Sequence, residues 1–122
     1  MPVFATAVRL QNSVSLDASS VTASGILSML YSRFTIDATA GNLALTLPVG
    51  LHDGQLIWLL RVDSTVANTV TITPSVATVR DAVGNSLTTL SMSVQGSCAQ
   101  LMYSNATTTW FLVGGTGFDG TM

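Results

Sequence analysis

The chain contains no lysine and no glutamate. Its cations are four arginines, Arg9, Arg33, Arg61 and Arg80, and its anions are six aspartates. Charged residues fill 8% of the 122 positions, against roughly 25% in an ordinary soluble domain. With a net charge of −2 and no clustered arginines, the basic footprint that phosphate backbones require is missing, so nucleic acid is not an expected partner. The single cysteine, Cys98, excludes an internal disulfide and suits folding in a reducing cytoplasm. The longest uninterrupted apolar run is Leu56 to Leu60, far short of the roughly 20 residues of a spanning helix, so no membrane partner is expected. Nor does the N-terminus carry a basic stretch followed by the apolar core of a secretory signal.

Catalytic groups are as sparse as charges. His52 is the only histidine and lies beside Asp53 in the turn Gly50 to Gly54. Serines are plentiful, but no GxSxG elbow is present, and the chain is not expected to be an enzyme. Zinc needs three or four Cys, His or carboxylate ligands, and the aspartates at 17, 37, 53, 63, 81 and 119 stand alone rather than in a DxDxDG cluster. No metal and no cofactor is therefore expected. The glycines of Gly114 to Gly120 are followed by no lysine, which removes the phosphate-loop reading. Asn105-Ala106-Thr107 fits a glycosylation acceptor and reads here as a turn, and Cys98 reads as a small buried hydrophobe.

What is present points to strands. Ser and Thr supply about a quarter of the chain, Val, Ile and Thr are abundant, and two of the best helix formers are missing. Gly54 to Asp63 (GQLIWLLRVD) predicts a central strand covered on both faces. Asn68 to Thr73 (NTVTIT) alternates with period 2 before Pro74, and the two segments predict a hairpin. Tyr31 to Asp37 and Leu43 to Leu47 read as further strands, and 78–83 and 86–92 flank a turn signal at Gly84-Asn85. Residues 98–103 and 109–113 predict a second hairpin across 104–108.

The one helical candidate is Ser24 to Arg33, with Ile26, Leu27, Leu30 and Tyr31 on a stripe. Trp58 and Trp110 are assigned to packing, in the core or a subunit interface, ahead of sugar stacking. Together these features predict an all-β fold, a small antiparallel sandwich, barrel or prism with a jelly roll among the options. One domain is expected: an extended N-terminal arm over residues 1–30, a β-rich body over 31–114 and a C-terminal tail over 115–122. An exterior this poor in charge is suited to touching neighbours, with Trp58 and Leu60 as candidates for self-association.

The stretch from Tyr31 to Gly114 has a recognisable cadence. Phe34 to Ala38 (FTIDA) leads to the strand end Leu45 to Pro48 (LTLP), then to GQLIWLLRVD, then to NTVTITP (Asn68 to Pro74), and near the end comes WFLV (Trp110 to Val113). This order resembles a β-rich module of bacteriophage tail fibres, head fibres and other virion surface proteins, usually trimeric. The resemblance implies a homotrimer displayed on a virus particle and made in the host cytoplasm, and it brings no active-site residues. No heptads or collagen-like triplets form a shaft. A short module behind an arm is closer to a capsid decoration, or cement, protein whose partners are itself and the major capsid protein. In that reading Phe4, Val8 and Leu10 anchor the arm on the capsid and Arg9 pairs with a carboxylate. The alternatives are a receptor-binding tip or short spike contacting host glycans, and a non-viral carbohydrate-binding module.

Overall fold

Side chains that alternate between apolar and polar at every second position suit a strand with one face in a core. A computed structural model describes residues 18–121 of the chain. Within them the alternation yields twelve strands: β1 (Ala18–Val21), β2 (Gly25–Ile26), β3 (Arg33–Ile36), β4 (Leu43–Leu47), β5 (Leu56–Arg61), β6 (Val70–Pro74), β7 (Thr78–Arg80), β8 (Ser86–Leu87), β9 (Thr89–Met92), β10 (Cys98–Ser104), β11 (Thr109–Thr116) and β12 (Phe118–Thr121). They build a sandwich of two mixed sheets, one ordered β1-β3-β5-β10-β11-β7-β8 and the other β12-β9-β6-β4-β2. The described residues contain no helix.

The first six strands change sheet at every connection, odd ones in the larger sheet and even ones in the smaller. A strand that returns to its sheet after crossing to the other one comes back in its original direction. Hence β1, β3 and β5 pair in parallel, as do β2, β4 and β6, and this half of the molecule is a flattened coil. Hairpins take over later: β7 with β8 and β10 with β11 are antiparallel, while β7 lies parallel to β11. The sandwich is thus mixed where an antiparallel one was expected. The hairpin expected between 54–63 and 68–73 does not form, because β5 and β6 belong to opposite sheets.

The helical candidate also resolves differently. Only Gly25–Ile26 and Arg33, the first residue of β3, are strand, and Leu27 and Met29 turn into the core two residues apart while Ile26 and Leu30 stay exposed. Residues 18–30, assigned to the arm from composition, are woven into both sheets through β1 and β2. Residues 115–121, assigned to the tail, complete β11 and form β12 against β9. The arm positions Phe4, Val8, Arg9 and Leu10 lie outside the described residues.

Phe34, Ile36, Ile57, Leu59 and Leu101 of the larger sheet meet Leu45, Leu47, Ile72, Leu90 and Met92 of the smaller one, all fully buried. Each such side chain contributes about 1.5–3 kcal/mol on leaving water. At one end of this core Tyr103 faces Trp110 across the β10–β11 ladder, with ring centroids 5.0 Å apart and planes tilted by 54°. Trp110 Nε1 donates to the Pro48 carbonyl at 2.9 Å. The Tyr103 ring lies so close to Gly50 that a Cβ there would sit 2.5 Å from it. Gly50→Ala is expected to overpack this contact and to cost about 1–3 kcal/mol, seen as a lower urea midpoint at unchanged slope.

The opposite end of β5 carries a buried charge cluster. Arg61 follows Ile57 and Leu59 on the inward parity and is itself fully buried. Its Nε and Nη2 donate to the two carboxylate oxygens of Asp63 at 3.0 and 3.1 Å. Nη1 donates to the Met92 carbonyl, and Nη2 also to the carbonyls of Thr65 and Asn68. The Asp63 carboxylate accepts the N–H groups of Ala38 and Thr65 as well. Asn68 closes the cluster by donating to the Ala38 carbonyl. The crossing from β5 to β6 is therefore held by one guanidinium reaching both sheets. The bonds from Arg61, ahead of those from Ala38 and Thr65, hold the Asp63 carboxyl far below the usual carboxylate range.

Candidate association face

Because β5 alternates, burying Ile57 and Leu59 obliges Leu56, Trp58 and Leu60 to point outward from the larger sheet. Val62 extends the row, and the four side chains are 39–49% exposed. The sequence expectation of a strand covered on both faces is thereby corrected: within one chain only the inner face is covered. Trp58 and Leu60, the self-association candidates, both lie on the open face.

The ladders fix what surrounds them. On one side Met102, Gln100 and Cys98 of β10 stand opposite Leu56, Trp58 and Leu60. On the other, Arg33 and Thr35 of β3 stand opposite Trp58 and Leu60. Beyond β10, Phe111 pairs with Met102, Gly114 with Gln100 and Thr116 with Cys98, and a bulge leaves Val113 unpaired and 49% exposed. Met102 and Gln100 were not singled out from sequence and Cys98 was assigned to the core, because both alternating sets of CAQLMYS are largely apolar and do not say which side faces out. Cys98 is half-buried on this outer face, its Sγ 3.8 Å from Thr116 Oγ1, rather than in the core as expected.

The face is not flat. Trp58 borders three depressions, of about 430, 330 and 340 Å³. The first lies toward Leu51, His52 and Leu56. The second is bounded by Leu60, Cys98, Gln100 and Gly115, and the third by Ala18, Arg33, Thr35 and Leu60. Gly115 helps to keep the second one open: its φ is 135°, and a Cβ there would collide with the Cys98 carbonyl oxygen.

The residues weighed for catalysis are not gathered into a reacting constellation. His52 is exposed in its turn, with Nδ1 3.3 Å from the Asp53 carbonyl oxygen. The Asp53 carboxylate accepts the Asn105 N–H at 2.8 Å and ties the 50–54 turn to the β10–β11 turn. Gln55 is buried and bridges neighbouring segments, accepting from the Leu51 N–H and donating to the Met29 carbonyl. Asp81 is spent on the β7–β8 turn, where the Asn85 N–H, followed by the Asn85 side chain and the Val83 N–H, holds its carboxyl below the usual range. No group of three or more His, Cys, Asp or Glu suited to a metal ion occurs among the described residues. Trp110, the second aromatic weighed for packing, is fully buried. No protein-family model matches the chain, and no curated protein matches it in sequence.

Proposed function

We propose that this chain is a structural protein of a virus particle, a decoration or cement protein of the capsid that associates with itself as a trimer and binds the major capsid protein. The observation that carries the reading is the apolar row Leu56, Trp58, Leu60 and Val62 on the open face of the larger sheet. A row of this kind is costly in a free monomer and useful where copies meet. The near absence of charge agrees with it, since repulsion between closely packed copies is weak. The cadence from Tyr31 to Gly114 adds the virion setting. In this reading the chain is not an enzyme, and many small interfaces combine to hold the shell.

The arm supplies the second contact. β1 is an edge strand of the larger sheet, and Phe4, Val8, Arg9 and Leu10, which precede it in the chain, are the residues proposed to meet the capsid. Light scattering coupled to size exclusion tests the self-association: a mass three times the 12.7 kDa of one chain supports it, and a monomer overturns it. Deletion of residues 2–12 is expected to leave the body folded and associated but unable to co-sediment with particles of the virus that encodes it. Retained binding would overturn the arm assignment.

A second reading, a receptor-binding tip that contacts host glycans, is favoured by the exposed Trp58 beside a depression that also holds Ser32 and His52. Glycan binding by the free protein that is lost in Trp58→Ala would replace the decoration reading with this one.

A further inference from the structure

We infer that a second copy of this chain covers the outer face of the larger sheet, with Trp58 of one copy seated in the depression bounded by Leu60, Cys98, Gln100 and Gly115 of the next. The inference rests on the self-association proposed above and deepens it by naming the surface and its occupant.

Three observations carry it. The first is area. Leu56, Trp58, Leu60, Val62, Met102 and Val113 are each 39–49% exposed, which leaves on the order of 500 Å² of apolar surface, near the top of the range for the largest patch of a monomer. The half-buried rim of Thr35, Cys98, Gln100 and Phe111 brings the face toward one partner's share of a standard interface, about 800 Å². The second is shape. A protruding tryptophan forms one wall of a depression of about 330 Å³ on the same face. A surface that carries both knob and hole is complementary to a rotated copy of itself, and a ring in which each copy gives a knob and receives one closes without leaving either unused. The third is charge. The outward positions of β5, β10 and β11 are uncharged, with Arg33 and Arg80 on the flanking strands β3 and β7. Copies can therefore approach through their centres without burying an unpaired ion.

Tryptophan in a desolvated pocket at the centre of an interface is the residue type whose truncation costs most. Trp58→Ala is accordingly expected to weaken self-association at least about thirty-fold, read as a fall in mass at fixed concentration. The variant keeps Trp110, which is fully buried, so unshifted blue emission reports that the sandwich remains folded. Cys98→Phe leaves Trp58 in place and fills the hole, and it is expected to dissociate the assembly equally. The native thiol supplies a third readout. A maleimide should label Cys98 slowly in the wild-type assembly and quickly in Trp58→Ala. An assembly whose mass is unmoved by either variant, and whose Cys98 labelling is unmoved by Trp58→Ala, overturns the inference while leaving self-association intact. A wild-type protein that stays monomeric at high micromolar concentration overturns both.

Discussion

Replacing Asp63 by alanine is expected to lower stability by about 3–5 kcal/mol, because it strands a buried guanidinium. Arg61 is fully buried, and its side chain and that of Asp63 are 0% and 1% exposed. The usual remedy for a buried pair, substitution of both partners by apolar residues, is often neutral or stabilising. Here it is expected to fail. Arg61 also satisfies the carbonyls of Met92, Thr65 and Asn68, and Asp63 satisfies the N–H groups of Ala38 and Thr65. Each orphaned buried group costs roughly 1–3 kcal/mol, so the double variant Arg61→Met/Asp63→Ala should stay well below wild type in urea unfolding. Recovery to wild-type stability would show that the pair acts only as charges and not as a clamp on the β5–β6 crossing.

The same pair sets the acid response. Hydrogen bonds from Arg61 depress the Asp63 carboxyl in the folded state below its ordinary value of 3.8, so the unfolded chain takes up a proton first as pH falls. Stability from this group is therefore complete above about pH 4 and is lost progressively below it, toward the folded pKa. Asp81, depressed chiefly by the Asn85 N–H, acts in the same direction. A urea midpoint followed downward from pH 5 should decline in the wild type and decline less steeply in Asp63→Ala, which has lost the larger of the two depressed groups.

The period-2 pattern made the strands legible, and Leu43 to Leu47 was placed with its observed limits. It did not reveal which strands share a sheet. NTVTIT and LIWLLR look like two arms of a hairpin because only six residues, 62–67, join the two runs. The same interval serves equally well to cross a sandwich, and what decides between them is the Arg61 clamp. That clamp was itself legible by parity, since 57, 59, 61 and 63 share a face, yet charged residues are usually assigned to solvent and Arg61 and Asp63 were passed over. The helical stripe of Ser24 to Arg33 was undone by the core, which takes Leu27 and Met29 two residues apart. On the outer face of the larger sheet the sequence had offered Trp58 and Leu60 as candidates, and the β10 half was missed because CAQLMYS reads as an apolar strand with no outward side until its register on β5 is known.

Trp110→Ala is expected to destabilise the protein by about 3–5 kcal/mol through lost transfer energy and the cavity left behind. The indole is fully buried between the sheets, against Tyr103, and its N–H is the donor to the Pro48 carbonyl at the end of β4. Trp110→Phe keeps most of the volume and removes only that donor, so its smaller loss, about 1–3 kcal/mol for a carbonyl left without a partner, separates packing from hydrogen bonding. The measurement is urea unfolding at one fixed protein concentration, because the proposed association would add to apparent stability. The loss should not spread evenly. Gly54 N–H donates to the Tyr103 carbonyl and Tyr103 N–H to the Gln55 carbonyl, both at 2.8 Å, which keeps the far side of the 48–55 loop attached to β10. Residues 48–51, tied through Pro48 and Gly50 to the aromatic pair, lose their support first. Hydrogen exchange should therefore accelerate at Leu51 in Trp110→Ala and stay near wild-type rates at Gly54. Since Leu51 and His52 border the first depression beside Trp58 and not the one bounded by Cys98 and Gln100, the proposed self-association should weaken far less in this variant than in Trp58→Ala. A core substitution and a surface substitution of the two tryptophans would then divide cleanly between folding and assembly.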